Sequence, residues 1–191
     1  MKNKGPLSGI TVIDLTAMIS GPVCTMMLGD QGADVIKIEP LTGELTRKVG
    51  ASKNGMTTSF LCANRSKRSL TLNLKDPKGI TVLKKLITKA DVLVQNFRPG
   101  AMKRMGLSYE EVKKLNKLLP VILITGHGDI KLAVKSLKLG ATDFLEKPFN
   151  SDKLVILANR AIESSRLVNE NKNLKELISP DIDLIGNSTF I

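Results

Sequence analysis

Tryptophan is absent, and one tyrosine (Tyr109) and one histidine (His127) stand among 191 residues. Stacking platforms for single-stranded nucleic acid are therefore essentially missing. His127 has no second histidine to act with, so it reads as a turn residue rather than a catalytic base or a metal ligand. The two cysteines, Cys24 and Cys62, show neither CxxC nor Cys/His ligand spacing and read as reduced, structural thiols. No window approaches a membrane-spanning apolar run, and Met1 to Pro6 lacks the apolar segment of a secretory signal. The expectation is a soluble, cytoplasmic protein. A glycine-rich Walker pattern is also lacking, which removes the basis for ATPase work.

What is present is ample apolar material. With 42% hydrophobic residues the chain can build one good-sized α/β domain or two small ones. The net charge of +11 is unevenly placed: basic against acidic residues number 20 to 9 over 1–118, and 9 to 9 over 119–191. Such a bias suits a polyanionic ligand, either a phosphate-bearing cofactor or nucleic acid, and equally describes a solvated basic surface.

The clearest single element is Pro120-Val-Ile-Leu-Ile-Thr-Gly126, a β-branched apolar run of strand length bounded by breakers. Before it, strands are expected at Ile10–Leu15, Asp34–Glu39, Ser69–Leu74 and Asp91–Asn96. Helices are expected from Gly21-Pro22 to Asp30, from Asp76-Pro77 to Ala90, and from Tyr109 to about 118. The stretch 41–64, with Gly43, Gly50 and Gly55, reads as an irregular loop. After the pivot strand come an amphipathic helix over Asp129–Gly140, a short strand over Ala141–Pro148, and a long helix from Ser151 to about Ile178. Strand and helix alternate, which predicts a parallel sheet with crossover helices and a ligand site at the carboxyl ends of the strands.

Over 1–118 the sequence resembles the amino-terminal part of the family III CoA-transferases. The matching blocks are Pro6–Thr16, Gly21–Leu28, Gly32–Glu39, Asn64–Lys75 and Ala90–Ala101. The resemblance implies a Rossmann-like coenzyme A site at Leu72, Lys75, Asn96, Phe97, Arg104 and Met105. Lys75 and Arg104 can meet phosphates while Leu72, Phe97 and Met105 flank adenine and pantetheine, although these apolar side chains can equally fill the core. The family's nucleophile is an aspartate further along than the resemblance extends, so no catalytic residue is assigned and no transferase turnover is expected.

Over 119–191 the sequence resembles the carboxyl-terminal half of a response-regulator receiver of the sigma-54-dependent activator type. Leu119–Asp129 and Gly140–Phe149 carry that resemblance. It places Thr125 on the switch hydroxyl, Lys147 on the phosphoryl-pairing lysine, and Pro148 where receivers have a cis peptide. The phosphoacceptor position is occupied by Gln95-Asn96-Phe97, and Asp14 stands alone where an acidic pair belongs, so neither metal binding nor aspartyl phosphorylation is expected. Leu167, Asn171, Leu174 and Ile178 follow a 4-3-4 spacing, which can pair two copies through helix 151–179 or mark a solvated amphipathic helix. The tail 180–191 resembles the start of an AAA+ domain.

Together these readings predict an α/β, Rossmann-like or flavodoxin-like parallel sheet of about six strands with a long C-terminal helix. The divisions fall at a CoA-binding segment over 1–118, a receiver-like half over 119–150 completing the sheet, a linker helix over 151–179, and the tail. Three functions fit. The chain is a CoA-binding fragment with CoA or acyl-CoA as partner, or a receiver-like signalling module, or an inactive fusion product. Neither membrane nor nucleic acid is expected as a partner.

Overall fold

The computed structural model describes residues 5–54, 56–98, 100–117, 119–125, 134, 137–138 and 141–178, with the backbone alone at 123, 125, 151, 169, 172 and 176–178. The first half runs β1 (Thr11–Asp14), α1 (Ser20–Asp30), β2 (Asp34–Glu39), a 3-10 turn (Leu45–Lys48), β3 (Ser52–Lys53), β4 (Met56–Thr57), α2 (Thr58–Asn64), β5 (Lys67–Thr71), α3 (Pro77–Ile87) and β6 (Val92–Val94). The second half runs α4 (Ala101–Arg104), α5 (Tyr109–Leu115), β7 (Ile122–Thr125), β8 (Asp143–Glu146) and α6 (Ser151–Ile178).

Local chemistry explains the helix starts. The Asp76 carboxylate accepts the Lys78 amide at 2.8 Å with Pro77 in the first turn of α3. Ser108 caps α5 by accepting from the Glu111 amide, with Glu110 and Glu111 in the first turn and Lys113 and Lys114 in the last, as the helix dipole favours. Thr57 caps α2 through the Phe60 amide at 3.2 Å.

Four strands form a parallel sheet in the order β5-β2-β1-β6. Both faces are covered. Val12, Leu28, Ala33 and Val35 pack on the α1 side, while Ile13, Leu15 and Ile38 pack with Leu83, Ile87, Leu107 and Val112 on the other. A strand buried on both faces is why β1 reads as a near-continuous apolar run.

Several expectations need correction. The main sheet has four strands rather than about six, because β7 and β8 pair with each other in a separate two-stranded parallel sheet. The physical reason lies in what β7 packs on. Cys24 of α1 meets Leu145, Leu154 and Leu157, with Ile122, Ile124 and Phe149 against them, so the second sheet is seated on α1 and α6. Between it and β6 remains an apolar cavity of about 280 Å³, lined by Val92 and Val94 on one side and Ile122 and Ile124 on the other. The stretch 41–64 is not irregular throughout: it holds the 3-10 turn, the β3–β4 hairpin and α2. Strand β5 ends at Thr71, so Leu72 to Lys75 belong to the loop beyond it. The helix α4 was not anticipated.

The Lys147–Pro148 peptide is cis. Helix 129–140 falls almost entirely outside the described residues, as do His127 and the tail. Cys24 is buried and Cys62 exposed, both free thiols. Among the described residues no helix is long and apolar enough to cross a membrane.

Candidate functional site

The carboxyl ends of β1, β2, β5 and β6 open onto one cavity of about 760 Å³. Its walls come from Leu15 to Ala17 after β1, Pro40 to Leu45 after β2, Leu72 to Lys75 after β5, and Phe97 with Ala101, Arg104 and Met105 after β6. Topology dictates this placement, since parallel strands deliver their following loops to one edge of the sheet. Leu72, Phe97 and Met105 are half-buried and pack on the core while facing the cavity. Lys48, Lys75 and Arg104 are exposed along its lining.

Five of the six residues assigned to cofactor binding thus line one cavity: Leu72, Lys75, Phe97, Arg104 and Met105. Asn96 stands apart from the lining. Its amide grips the backbone of Ala17 from both sides, Oδ1 accepting the Ala17 amide at 2.9 Å and Nδ2 donating to the Ala17 carbonyl at 2.8 Å. It therefore shapes the wall formed by the loop after β1. Of the receiver-like pair, Thr125 ends β7 with its side chain undescribed, and the Lys147 ammonium donates to Ser20 Oγ at 3.2 Å at the start of α1.

Behind the cavity lies a charged network that the sequence reading missed. Asp14, at the end of β1, accepts the Thr16 amide at 2.8 Å, the Thr25 hydroxyl at 2.7 Å and the Lys67 ammonium at 3.0 Å. Asp14 is thus a structural anchor, fully buried. Lys67 also donates to the Pro22 carbonyl and the Asn64 side chain at 2.8 Å each. Burial pushes the Lys67 pKa below its ordinary value, against the pull of Asp14. Lys37 on β2 is buried, donates to the Thr16 carbonyl at 2.9 Å and sits 2.7 Å from Glu44 Oε2.

Glu39 closes the same strand. It accepts from Arg47 Nε at 2.6 Å, Arg47 Nη2 at 2.7 Å, Ser69 Oγ at 2.6 Å and the Glu44 amide at 3.0 Å. Burial alone would push this carboxyl up, but the Arg47 fork, the Ser69 hydroxyl and the Glu44 amide together hold it at about 2. The Arg47 guanidinium in turn lies 3.7 Å over the Phe60 ring.

Chemically, apolar walls with cations at the rim suit an elongated, phosphate-bearing ligand. The carboxylate in the lining, Glu44, is already committed to Lys37, so the described part of the cavity offers no free carboxylate nucleophile.

The fold and cavity define a Rossmann-type α/β protein with a cofactor-sized site at the carboxyl edge of its sheet. The profile of CoA-transferase family III matches residues 7–140, and the chain belongs to that family. The match runs past the expected join at residue 118. Among curated relatives, human succinyl-CoA:glutarate CoA-transferase is 43% identical over 67% of this chain and 30% of its own length. The succinyl-CoA–L-malate CoA-transferase beta subunit of Chloroflexus aurantiacus is 44% identical over 64% of this chain and 31% of its own. Formyl-CoA:oxalate CoA-transferase of Afipia carboxidovorans is 46% identical over 64% of this chain and 29% of its own. The chain spans about three tenths of the length of these relatives. A solved CAIB/BAIF family protein from Brucella suis superposes with a TM-score of 0.64 at 28% identity, covering 90% of this chain and 51% of that one.

Proposed function

We propose that the chain is the coenzyme A-holding segment of a family III CoA-transferase, an enzyme class that moves CoA between carboxylic acids. The observation that carries the reading is the convergence of Leu72, Lys75, Phe97, Arg104 and Met105 on one 760 Å³ cavity with cations along its lining. Lys75 and Arg104, with Lys48 beside them, meet the phosphates. Leu72, Phe97 and Met105 flank the adenine and the pantetheine. Asn96 acts indirectly, by holding Ala17 in the wall. The segment alone does not complete transfer, because the family's nucleophilic aspartate lies beyond the stretch that carries the resemblance.

Calorimetric titration of the whole chain with CoA tests this. Lys75→Ala and Arg104→Ala are each expected to weaken binding by roughly tenfold or more, the loss of one charge-assisted hydrogen bond. Lys147→Ala, on the far side of the join, is expected to leave affinity unchanged. Equal effects from all three substitutions would remove the site assignment.

A second reading, a receiver-like signalling module, is favoured by the parallel pairing of β7 and β8. On that reading acetyl phosphate labels the protein. We expect no label, since Asn96 offers an amide rather than a carboxylate and both ends of it are engaged by Ala17.

A further inference from the structure

Two loops contribute the wall of the cavity nearest β1 and β2: the loop 15–19 after β1, through Leu15, Thr16 and Ala17, and the segment 40–48 after β2, through Pro40 to Leu45 and Lys48. Met18 in the first loop has a φ of +70°, a left-handed conformation that non-glycine residues hold only where surrounding contacts over-determine it. Those contacts are present. Glu44 Oε1, from the second loop, accepts the Met18 amide at 2.8 Å and the Thr46 hydroxyl at 2.8 Å. The other oxygen, Oε2, lies 2.7 Å from the Lys37 ammonium without a well-angled hydrogen bond among the described residues. Lys37 itself reaches the first loop through the Thr16 carbonyl at 2.9 Å. Lys37 and Glu44 are 1% and 3% exposed, so both charges are out of water.

We infer that Glu44, seated on Lys37, is the positioning group that clips these two loops together and thereby sets the shape of the cavity wall. A buried ion pair is a poor source of net stability, since desolvation offsets most of the attraction and an apolar pair of similar volume often serves as well or better. What the apolar pair cannot do is accept the Met18 amide and the Thr46 hydroxyl. The clip therefore acts on geometry more than on stability. Its effect on ligand affinity rests on the reading of the cavity as a CoA site, whereas its effect on the loops does not.

The test compares two double variants on one background. Lys37→Met/Glu44→Leu removes both charges and both acceptor functions. Lys37→Met/Glu44→Gln also removes both charges, but keeps an amide oxygen for Met18 and Thr46. The glutamine variant is expected to unfold in urea near the wild-type midpoint and the leucine variant below it, since leucine leaves the Met18 amide and the buried Thr46 hydroxyl without an acceptor. In the leucine variant, amide exchange at Met18 and across 44–47 should accelerate roughly tenfold or more, and the CoA dissociation constant should rise by a similar factor. The glutamine variant should retain most of the protection and affinity. If both variants match wild type in exchange and in CoA binding, the clip is overturned. If wild type itself fails to bind CoA while the leucine and glutamine variants still differ in exchange, the clip stands and the CoA reading falls. Should the leucine variant not fold, Lys37→Met/Glu44→Ala removes the same acceptor with less added bulk, and unchanged exchange at Met18 would then overturn the proposal.

Discussion

Glu39 makes the acid stability of this protein calculable. Its carboxyl is held at about 2 against an ordinary value of 4.5, and its side chain is 2% exposed, so the shift is little screened by solvent. A depressed carboxylate stabilises the fold fully above its unfolded pKa, and that contribution is lost as pH falls toward the folded value. At 1.36 kcal/mol per pKa unit the pair and its hydrogen bonds supply about 3 kcal/mol at pH 7, of which about 2 kcal/mol is gone by pH 3. The exposed pair Arg68–Asp34 is shorter, at 2.5 Å, yet with side chains 66% and 44% exposed it supplies far less. The assay is urea unfolding of wild type and Glu39→Gln at intervals from pH 7 to pH 3. The substitution removes the titrating group, so the wild-type advantage should shrink by about 2 kcal/mol across that range, almost all of it below pH 5. Parallel stability curves for the two proteins would refute the assignment.

Further outcomes follow from burial. Leu83 is wholly buried between α3 and the sheet, and Leu83→Ala should lower unfolding free energy by about 2–5 kcal/mol in urea titration. Ala161 of α6 faces the 280 Å³ cavity between β6 and β7, and Ala161→Leu should raise stability by about 1–2 kcal/mol as added methylenes leave water; a lowered midpoint would mean that the space is not there to fill. Burial, followed by the nearby Asp14 charge, pushes the Cys24 thiol up to about 11, while Cys62 is exposed. A thiol reagent at pH 8 should therefore consume Cys62 quickly in the native protein and Cys24 only on unfolding.

Much of the first half was legible because β1, β2 and β6 are built around the apolar pairs and runs Val12-Ile13, Val35-Ile36 and Val92-Leu93-Val94, and α3 and α5 carry their own start signals. Asp76-Pro77 and Ser108 before Glu110-Glu111 show this at the level of single hydrogen bonds. The second sheet was legible as strands but not as a separate sheet. Periodicity says that Ile122 and Ile124 are buried; it does not say whether β6 or α1 buries them. That choice is made by Cys24, Leu145, Leu154 and Leu157, four residues from three distant elements. Likewise, the alternation in 69–74 is real, but pairing of β5 with β2 begins at Lys67, because Val35 to Glu39 set the register.

The lining of the cavity was readable for a reason that does not extend to its scaffold. Leu72, Arg104 and Met105 were placed by the family resemblance, whereas Lys75 and Phe97 also follow expected strand ends, and strand ends converge wherever parallel strands do. Nothing local in Lys37 or Glu44 announces a partner. Yet one signal was available: Lys37 and Glu39 alternate in β2 with Ile36 and Ile38 and are themselves buried, and a strand buried on both faces leaves a charge no route to water. Such charges require partners with complementary groups at the same depth. The partners come from the loops after β1 and after β2 itself, both of which wall the cavity, and from Ser69 on the neighbouring β5. Here the buried charges of β2 mark the place where the loops that wall the cavity are tied down, and Glu39, Glu44 and Lys37 form that tie.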